Sequence, residues 1–391
     1  MKDVPGVVKE GKSNNNVVHK TIRGLIMAKD GGPMADNTIQ EVQDHYLEIK
    51  YRLDPRLNES RDFKEYRKMW YECPEKEIVL PLPINLDLHI TNECNLKCTF
   101  CPRTWKEASK KGNVLHGFME FKLFKKIIDE ASEGGVRAVH FTGNGEPLLH
   151  EGLEEMIRYC HEKRILEILM HTNATLLNQK RAMSILKAGV HNLAISFDSP
   201  VKETYEKLRV GANFETTLNN IRNFVRLRDE GEFQYPRVRV QMVDQQANMK
   251  ERESFEALFS SIADSVSHAS FVNFNGGPQS DEYKLPTENI DGKKMDFDHR
   301  RLNEDFKCKY LWQRMIIEVE GEVYPCFYND KLLLGNVATQ SLKEIWTGPK
   351  MEELRAKHSA GKFDNIPECA GCGRQYEVCD DNLLPGMNAK K

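Results

Sequence analysis

From Ile84 onward the chain alternates six times between a short β-patterned run and a helical one. The first run sets the type: Ile84, Leu86, Leu88 and Ile90 are apolar with Asn85, Asp87 and His89 polar between them, the period of a strand. Helical FKLFKKIIDEASEGG then precedes VRAVHFTG, LEEMIRYCHEK precedes ILEILMHTN, QKRAMSILKAG precedes VHNLAISFDS, and FETTLNNIRNFVRLRDEG precedes RVRVQMVDQ. A helix near KERESFEALFSSIA leads to a last strand at about Ser267 to Phe274. Each helix carries the chain back over the sheet, so the strands pair in parallel and the class is α/β. Six units fall short of a closed eight-unit barrel, which predicts an open, partial (β/α)6 TIM-like barrel. Functional loops then lie at the carboxyl ends of the strands, where TNECNLKC, TGNGEP, HTNATLL and SFDSP all fall.

The barrel is expected over residues 81–275. Residues 1–80 read as an N-terminal extension, partly disordered at first and then helical around IQEVQDHYLEIKYRL and DFKEYRKMWYECP. A polar linker follows at 276–307, and then a small cysteine-rich domain at 308–391, whose strands RMIIEVEG and EVYPCFY join through Gly321. That domain is too small to build much core, so a metal cluster is expected to hold it. The 56 Lys and Arg against 59 Asp and Glu leave a charge of −3, giving no field for a nucleic-acid partner. No apolar run reaches the length of a membrane span and the first residues lack a signal-peptide core, so a cytoplasmic location is expected.

Ten cysteines without an export signal favour metal ligation over disulfides. Cys94, Cys98 and Cys101 form one compact triplet with no fourth cysteine nearby. Three thiolates suit three irons of a [4Fe–4S] cluster and leave the fourth iron open, much as catalytic zinc keeps an open position. A zinc site completed by His89 or His116 also satisfies the spacing, although structural zinc is usually built from two separated pairs. Cys308, Cys326, Cys369, Cys372 and Cys379 form the second group, and here the bare pattern favours zinc. Cys73 and Cys160 have no partner spacing; Cys160 reads as a small packed residue.

Cys94-x3-Cys98-x2-Cys101, with Phe100 before the last cysteine and a strand ahead of the loop, resembles the signature of the radical S-adenosylmethionine (SAM) superfamily, over residues 84 to 275. The resemblance implies an oxidoreductase in which SAM chelates the open iron and yields a 5′-deoxyadenosyl radical that abstracts a substrate hydrogen. TGNGEP resembles the family's Gly-Gly-Glu-Pro motif, with Gly143, Asn144, Gly145 and Glu146 implied as SAM contacts and glycine expected where backbone nears the ligand. Asn173, Ser196 and Arg209 are implied as further contacts, Arg209 to the SAM carboxylate, and Asp198 less so. Ordinary turn chemistry and a surface ion pair are the plain readings of Ser196, Asp198 and Arg209.

Cys308 followed by Gly321-x4-Cys326 after such a barrel is similar to the SPASM and twitch extensions, which carry auxiliary [4Fe–4S] clusters. That implies one auxiliary cluster on Cys308, Cys326, Cys369 and Cys372, with Cys379 a spare thiol or hydrogen donor. The same resemblance implies a flavodoxin- or ferredoxin-type electron donor. A sugar-like or polyol substrate, oxidised or rearranged at a carbinol carbon, is the reading preferred for the reaction. Thioether formation or epimerisation of a peptide is the alternative, and a non-catalytic zinc- or cluster-stabilised binding protein lies outside both.

Overall fold

The computed structural model describes residues 39–43, 46–52, 54–56, 60–104, 116–270, 308–327, 331–362, 365–367 and 369. The linker at 276–307, Cys372 and Cys379 lie outside the described residues, as does the expected disordered start.

Strands β1 (Ile39–Gln43) and β2 (Tyr46–Lys50) precede helix α1 (Arg61–Glu75). The barrel comprises β3 (Asn85–Leu88), α2 (Phe121–Glu133), β4 (Ala138–Phe141), α3 (Leu153–Glu162), β5 (Glu167–Thr172) and α4 (Gln179–Ala188). It continues through β6 (Asn192–Ser196), α5 (Lys202–Leu208), α6 (Phe214–Glu230), β7 (Arg237–Asp244), α7 (Arg252–Phe259) and β8 (Ser265–Ser270). After the linker come α8 (Tyr310–Gln313), β9 (Arg314–Ile317), β10 (Glu322–Tyr324), β11 (Gly335–Asn336), α9 (Leu342–Trp346) and α10 (Pro349–Ser359).

Among the described residues these strands form one sheet in the order β1-β2-β8-β7-β6-β5-β4-β3-β9-β10-β11. Pairing from β8 through β3 to β9 is parallel throughout. The outer strands β3 and β8 pair with β9 and β2 instead of each other, so the barrel is open, as the count of β/α units predicts. Side-chain caps start two of the barrel helices: Asn178 accepts from the Arg181 amide before α4 and Asn213 from that of Thr216 before α6.

Two expectations need correction. The segment IQEVQDHYLEIKYRL is an antiparallel hairpin rather than a helix, with β2 laid along β8 from Tyr46↔Ala269 to Lys50↔Ser265. An open sheet leaves backbone donors and acceptors exposed along its last strand, and pairing them outweighs local helical patterning. The C-terminal residues do build core: Trp312, Met315, Ile317, Val323, Ile345 and Trp346 are buried in the same cluster as the barrel, and β9 extends the barrel sheet. Burying these side chains against an existing core removes the size limit that an isolated module faces.

The two faces of the sheet differ in chemistry. Leu86, Leu88, Val139, Ile168, Met170, Leu193, Val238, Val240 and Val266 point outward to the helices and are fully buried. The alternate residues, among them Asp87, His140, His171, Arg239 and Arg314, line the lumen. Along β7 the lumen-facing Arg237, Arg239, Gln241 and Val243 are half-buried, so the lumen is a space that solvent reaches. Helix α1 closes the amino ends of the strands: the Tyr66 hydroxyl donates to Glu167, and Trp70 packs 6.5 Å from the His140 ring.

Candidate active site

The cysteine loop leaves the carboxyl end of β3 and is held from two sides. The Lys97 and Thr99 amides donate to the carbonyls of Val210 and Leu208, each at 2.9 Å, and the Glu146 amide donates to that of Glu93 at 2.8 Å. Gly145 lies so close that an added Cβ would sit 2.2 Å from the Thr91 carbonyl oxygen. Gly143, at φ +119°, packs on the His89 ring, where a Cβ would fall 2.3 Å from Cδ2. The crowding that demands glycine in this loop therefore comes from the protein's own cysteine loop and from His89.

Cys94, Cys98 and Cys101 are close enough to influence one another's ionisation. Burial pushes the Cys98 thiol up to about 12, opposed by Arg209, whose Nη1 is 3.9 Å from Sγ. Burial also raises the Cys94 thiol, opposed by the Leu96 amide at 3.5 Å. Buried thiols of this kind are poor nucleophiles, but a metal deprotonates them outright and N–H donors then stabilise the thiolates, so the donor set fits an iron–sulfur cluster. The two histidines considered as zinc ligands are engaged elsewhere, His89 Nδ1 with Glu318 at 2.7 Å and His116 Nδ1 with Glu93 at 3.0 Å.

Other expected contacts are partly committed to protein. The buried Glu146 carboxylate accepts from Thr172 Oγ1 and the Asn173 amide, both at 2.7 Å, and from the Leu148 amide at 3.1 Å. Asn173 Nδ2 donates to Asn95 Oδ1 at 3.0 Å and approaches Cys94 Sγ at 4.0 Å. Arg209 Nε lies 2.6 Å from Asp198 Oδ2, with Asp198 Oδ1 accepting from the Val243 amide. These two residues form a buried pair beside Cys98, not the surface pair that is the plain reading of the sequence. Asn144 is exposed at its loop tip, and Ser196 ends β6 on the lumen-facing row with Gln241.

In the second group, Cys308 precedes α8, Cys326 follows β10, and the Cys369 amide donates to the Ile366 carbonyl. All three are partly exposed, and none of the described cysteines forms a disulfide. Cys160 is fully buried, as expected of a packed residue. Phe327, next to Cys326, stacks on His89 with centroids 5.7 Å apart, while Glu318 bonds both His89 and Asn92. His89 thus joins the cysteine loop to the C-terminal segment, a role outside the sequence reading. The polar lumen residues were also missed, although Asn85, Asp87 and His89 carried the signal: parallel strands buried on both faces read as continuous apolar runs.

Two family models match, the radical SAM superfamily over residues 88–230 and the SPASM iron–sulfur cluster-binding domain over residues 308–373. A probable GTP 3′,8-cyclase of Methanococcus maripaludis is 36% identical over 135 residues, 34% of this chain but only 43% of the cyclase. The antilisterial bacteriocin subtilosin biosynthesis protein AlbA of Bacillus subtilis is 26% identical over 336 residues, covering 80% of this chain and 69% of AlbA. The fold resembles Streptococcus suis SuiB bound to S-adenosylmethionine, with a TM-score of 0.55 at 17% identity over 82% of this chain and 77% of that one. Among the described residues no helix is long and apolar enough to cross a membrane. The two models together span more than half of the sequence, and the chain belongs to the radical SAM superfamily with a C-terminal SPASM-type cluster domain.

Proposed function

We propose that the chain is a radical SAM enzyme that removes a hydrogen atom from a carbinol carbon of a sugar-like or polyol substrate seated in the lumen, leading to oxidation or rearrangement. The observation that carries this reading is the polar, half-buried inner face of the sheet, closed at one end by α1, a chamber suited to a compact polar molecule. When bound, SAM and a [4Fe–4S] cluster on Cys94, Cys98 and Cys101 supply the hydrogen-abstracting radical, and an auxiliary cluster on Cys308, Cys326, Cys369 and Cys372 supplies an electron acceptor.

The chain's own residues prepare that chemistry. Arg209, held by Asp198, sets a positive charge beside Cys98 and offsets thiolate charge in a buried setting. Asn173 fixes the turn after β5 against Asn95, next to Cys94. Glu146 ties the TGNGEP loop to that same turn, so the loops at the ends of β3, β4 and β5 act as one rigid unit. Gly143, Asn144, Gly145 and Ser196 contribute backbone or hydroxyl groups at the rim of the lumen. A flavodoxin- or ferredoxin-type protein is the proposed electron donor.

The match to AlbA, a bacteriocin biosynthesis protein, favours a second reading, radical modification of a peptide. The two separate by isotope transfer. Reduced enzyme with SAM is incubated with deuterated sugar and peptide pools, and deuterium is sought in 5′-deoxyadenosine. Enrichment from the sugar pool alone supports the first reading; enrichment from the peptide pool alone replaces it with the second.

A further inference from the structure

On the reading that a sugar-like substrate occupies the lumen, we infer that His89 and Asn92, both held by Glu318, form the subsite that accepts hydrogen bonds from its hydroxyl groups. His89 follows Asp87 in the alternation of β3 and so faces the lumen, at the end from which the cysteine loop leaves. Its Nδ1 lies 2.7 Å from Glu318 Oε1, and Asn92 Nδ2 donates to Glu318 Oε2 at 3.1 Å. A carboxylate only accepts, so the imidazole carries its proton on Nδ1 and Asn92 turns its amide N–H toward Glu318. One lone-pair atom remains on each side chain. His89 Nε2 and Asn92 Oδ1 are buried without a hydrogen-bond partner, in residues that are each 3% exposed.

Both acceptors are fixed before any ligand arrives. The His89 ring stacks on Phe327 with 14° between their planes, and glycine at 143 keeps one ring edge clear of side chain, since a Cβ there would fall 2.7 Å from Nε2. Gly143 is itself exposed, so the turn beside Nε2 faces solvent. The Asn92 backbone is tied at both ends: its N–H donates to the Gly117 carbonyl at 3.3 Å, and its carbonyl accepts from Arg103 Nε at 2.6 Å. Buried acceptors left unpaired are unfavourable, and two arranged by one carboxylate call for a donor. An oxyanion would bring only more lone pairs. A metal ion would want a charged ligand, and both oxygens of Glu318 already receive protein donors. A hydroxyl supplies an O–H to each acceptor, and a polyol carries hydroxyls on adjacent carbons.

The test is calorimetric titration of the anaerobically reconstituted, SAM-loaded full chain with myo-inositol, and in parallel with methylammonium chloride. Saturable binding of myo-inositol is expected. His89→Phe, which keeps the stacking on Phe327, should weaken it by about tenfold or more, and Asn92→Ala, which keeps the imidazole, by a similar factor. Iron content and SAM affinity are measured on each protein, so that loss of the subsite is told from loss of the fold. Absence of saturable binding to the wild type, or equal binding by either variant at wild-type iron content, overturns the inference. Binding of methylammonium alone, lost in His89→Phe, overturns the hydroxyl assignment in favour of an amine. Formation of 5′-deoxyadenosine by the wild type is read separately. Its loss with myo-inositol binding intact counts against the radical reading alone, whereas binding absent with cleavage intact counts against the hydroxyl subsite alone.

Discussion

Arg209 and Asp198 are both almost wholly removed from solvent, with Arg209 Nε 2.6 Å from Asp198 Oδ2; burial pushes the Asp198 carboxyl up and the guanidinium opposes that shift. Asp198→Asn leaves the guanidinium buried without its counter-ion, and a loss of about 3–5 kcal/mol is expected in denaturant unfolding under anaerobic conditions. A loss below about 1 kcal/mol contradicts the pairing. The sequence allowed the two to be read as a surface ion pair but not as a buried one, because their burial is set by tertiary packing around α5. Gly145→Ala should lower the iron bound by the first cysteine group, since the clash falls on backbone at Thr91 and Glu93 that has no rotamer to yield; wild-type iron content would refute this. His171 gives a pH prediction. Its folded pKa of about 3 lies below the ordinary 6.5, so the unfolded chain takes up the proton first as pH falls. Its contribution to stability is therefore complete above 6.5 and lost progressively toward 3. His171→Asn should flatten the pH dependence of unfolding in that window, and an unchanged slope would show that His171 is not the group responsible.

At the scale of elements, β9 decides how the two matched regions relate. It pairs with β3 from Asn85↔Arg314 to Leu88↔Ile317, and Met315 on it is fully buried. Met315→Ala is expected to cost about 2–5 kcal/mol and to shift a single unfolding transition, followed by both tryptophan fluorescence and circular dichroism. Two transitions, with only one moved, would mean the C-terminal segment unfolds on its own. The barrel strands were legible because β/α alternation is a local signal repeated along the chain. The parallel docking of β9 was not, since RMIIEVEG and EVYPCFY also read as a free-standing hairpin. Nor was β1–β2, whose conformation depends on the unpaired edge of β8, more than two hundred residues further along.

Across the whole molecule, the cysteine triplet was legible because ligand chemistry imposes spacing on the sequence itself. The lumen's composition was harder to see, because it is assembled one residue at a time from strands far apart: Asp87, His140, His171, Arg239 and Arg314 share no local pattern. The joint account of one open and one closed cluster predicts about eight irons per chain after anaerobic reconstitution, falling to about four when Cys94, Cys98 and Cys101 are replaced together by Ala. About four in the wild type would remove the auxiliary cluster. The central claim is that the cysteine triplet supports SAM cleavage, and the most direct measurement is 5′-deoxyadenosine released by reduced, reconstituted protein and by its triple Cys→Ala variant. The account predicts release by the wild type and none by the variant with its second cluster still in place. Equal release by both, or a colourless wild type that carries zinc and no iron, would contradict it.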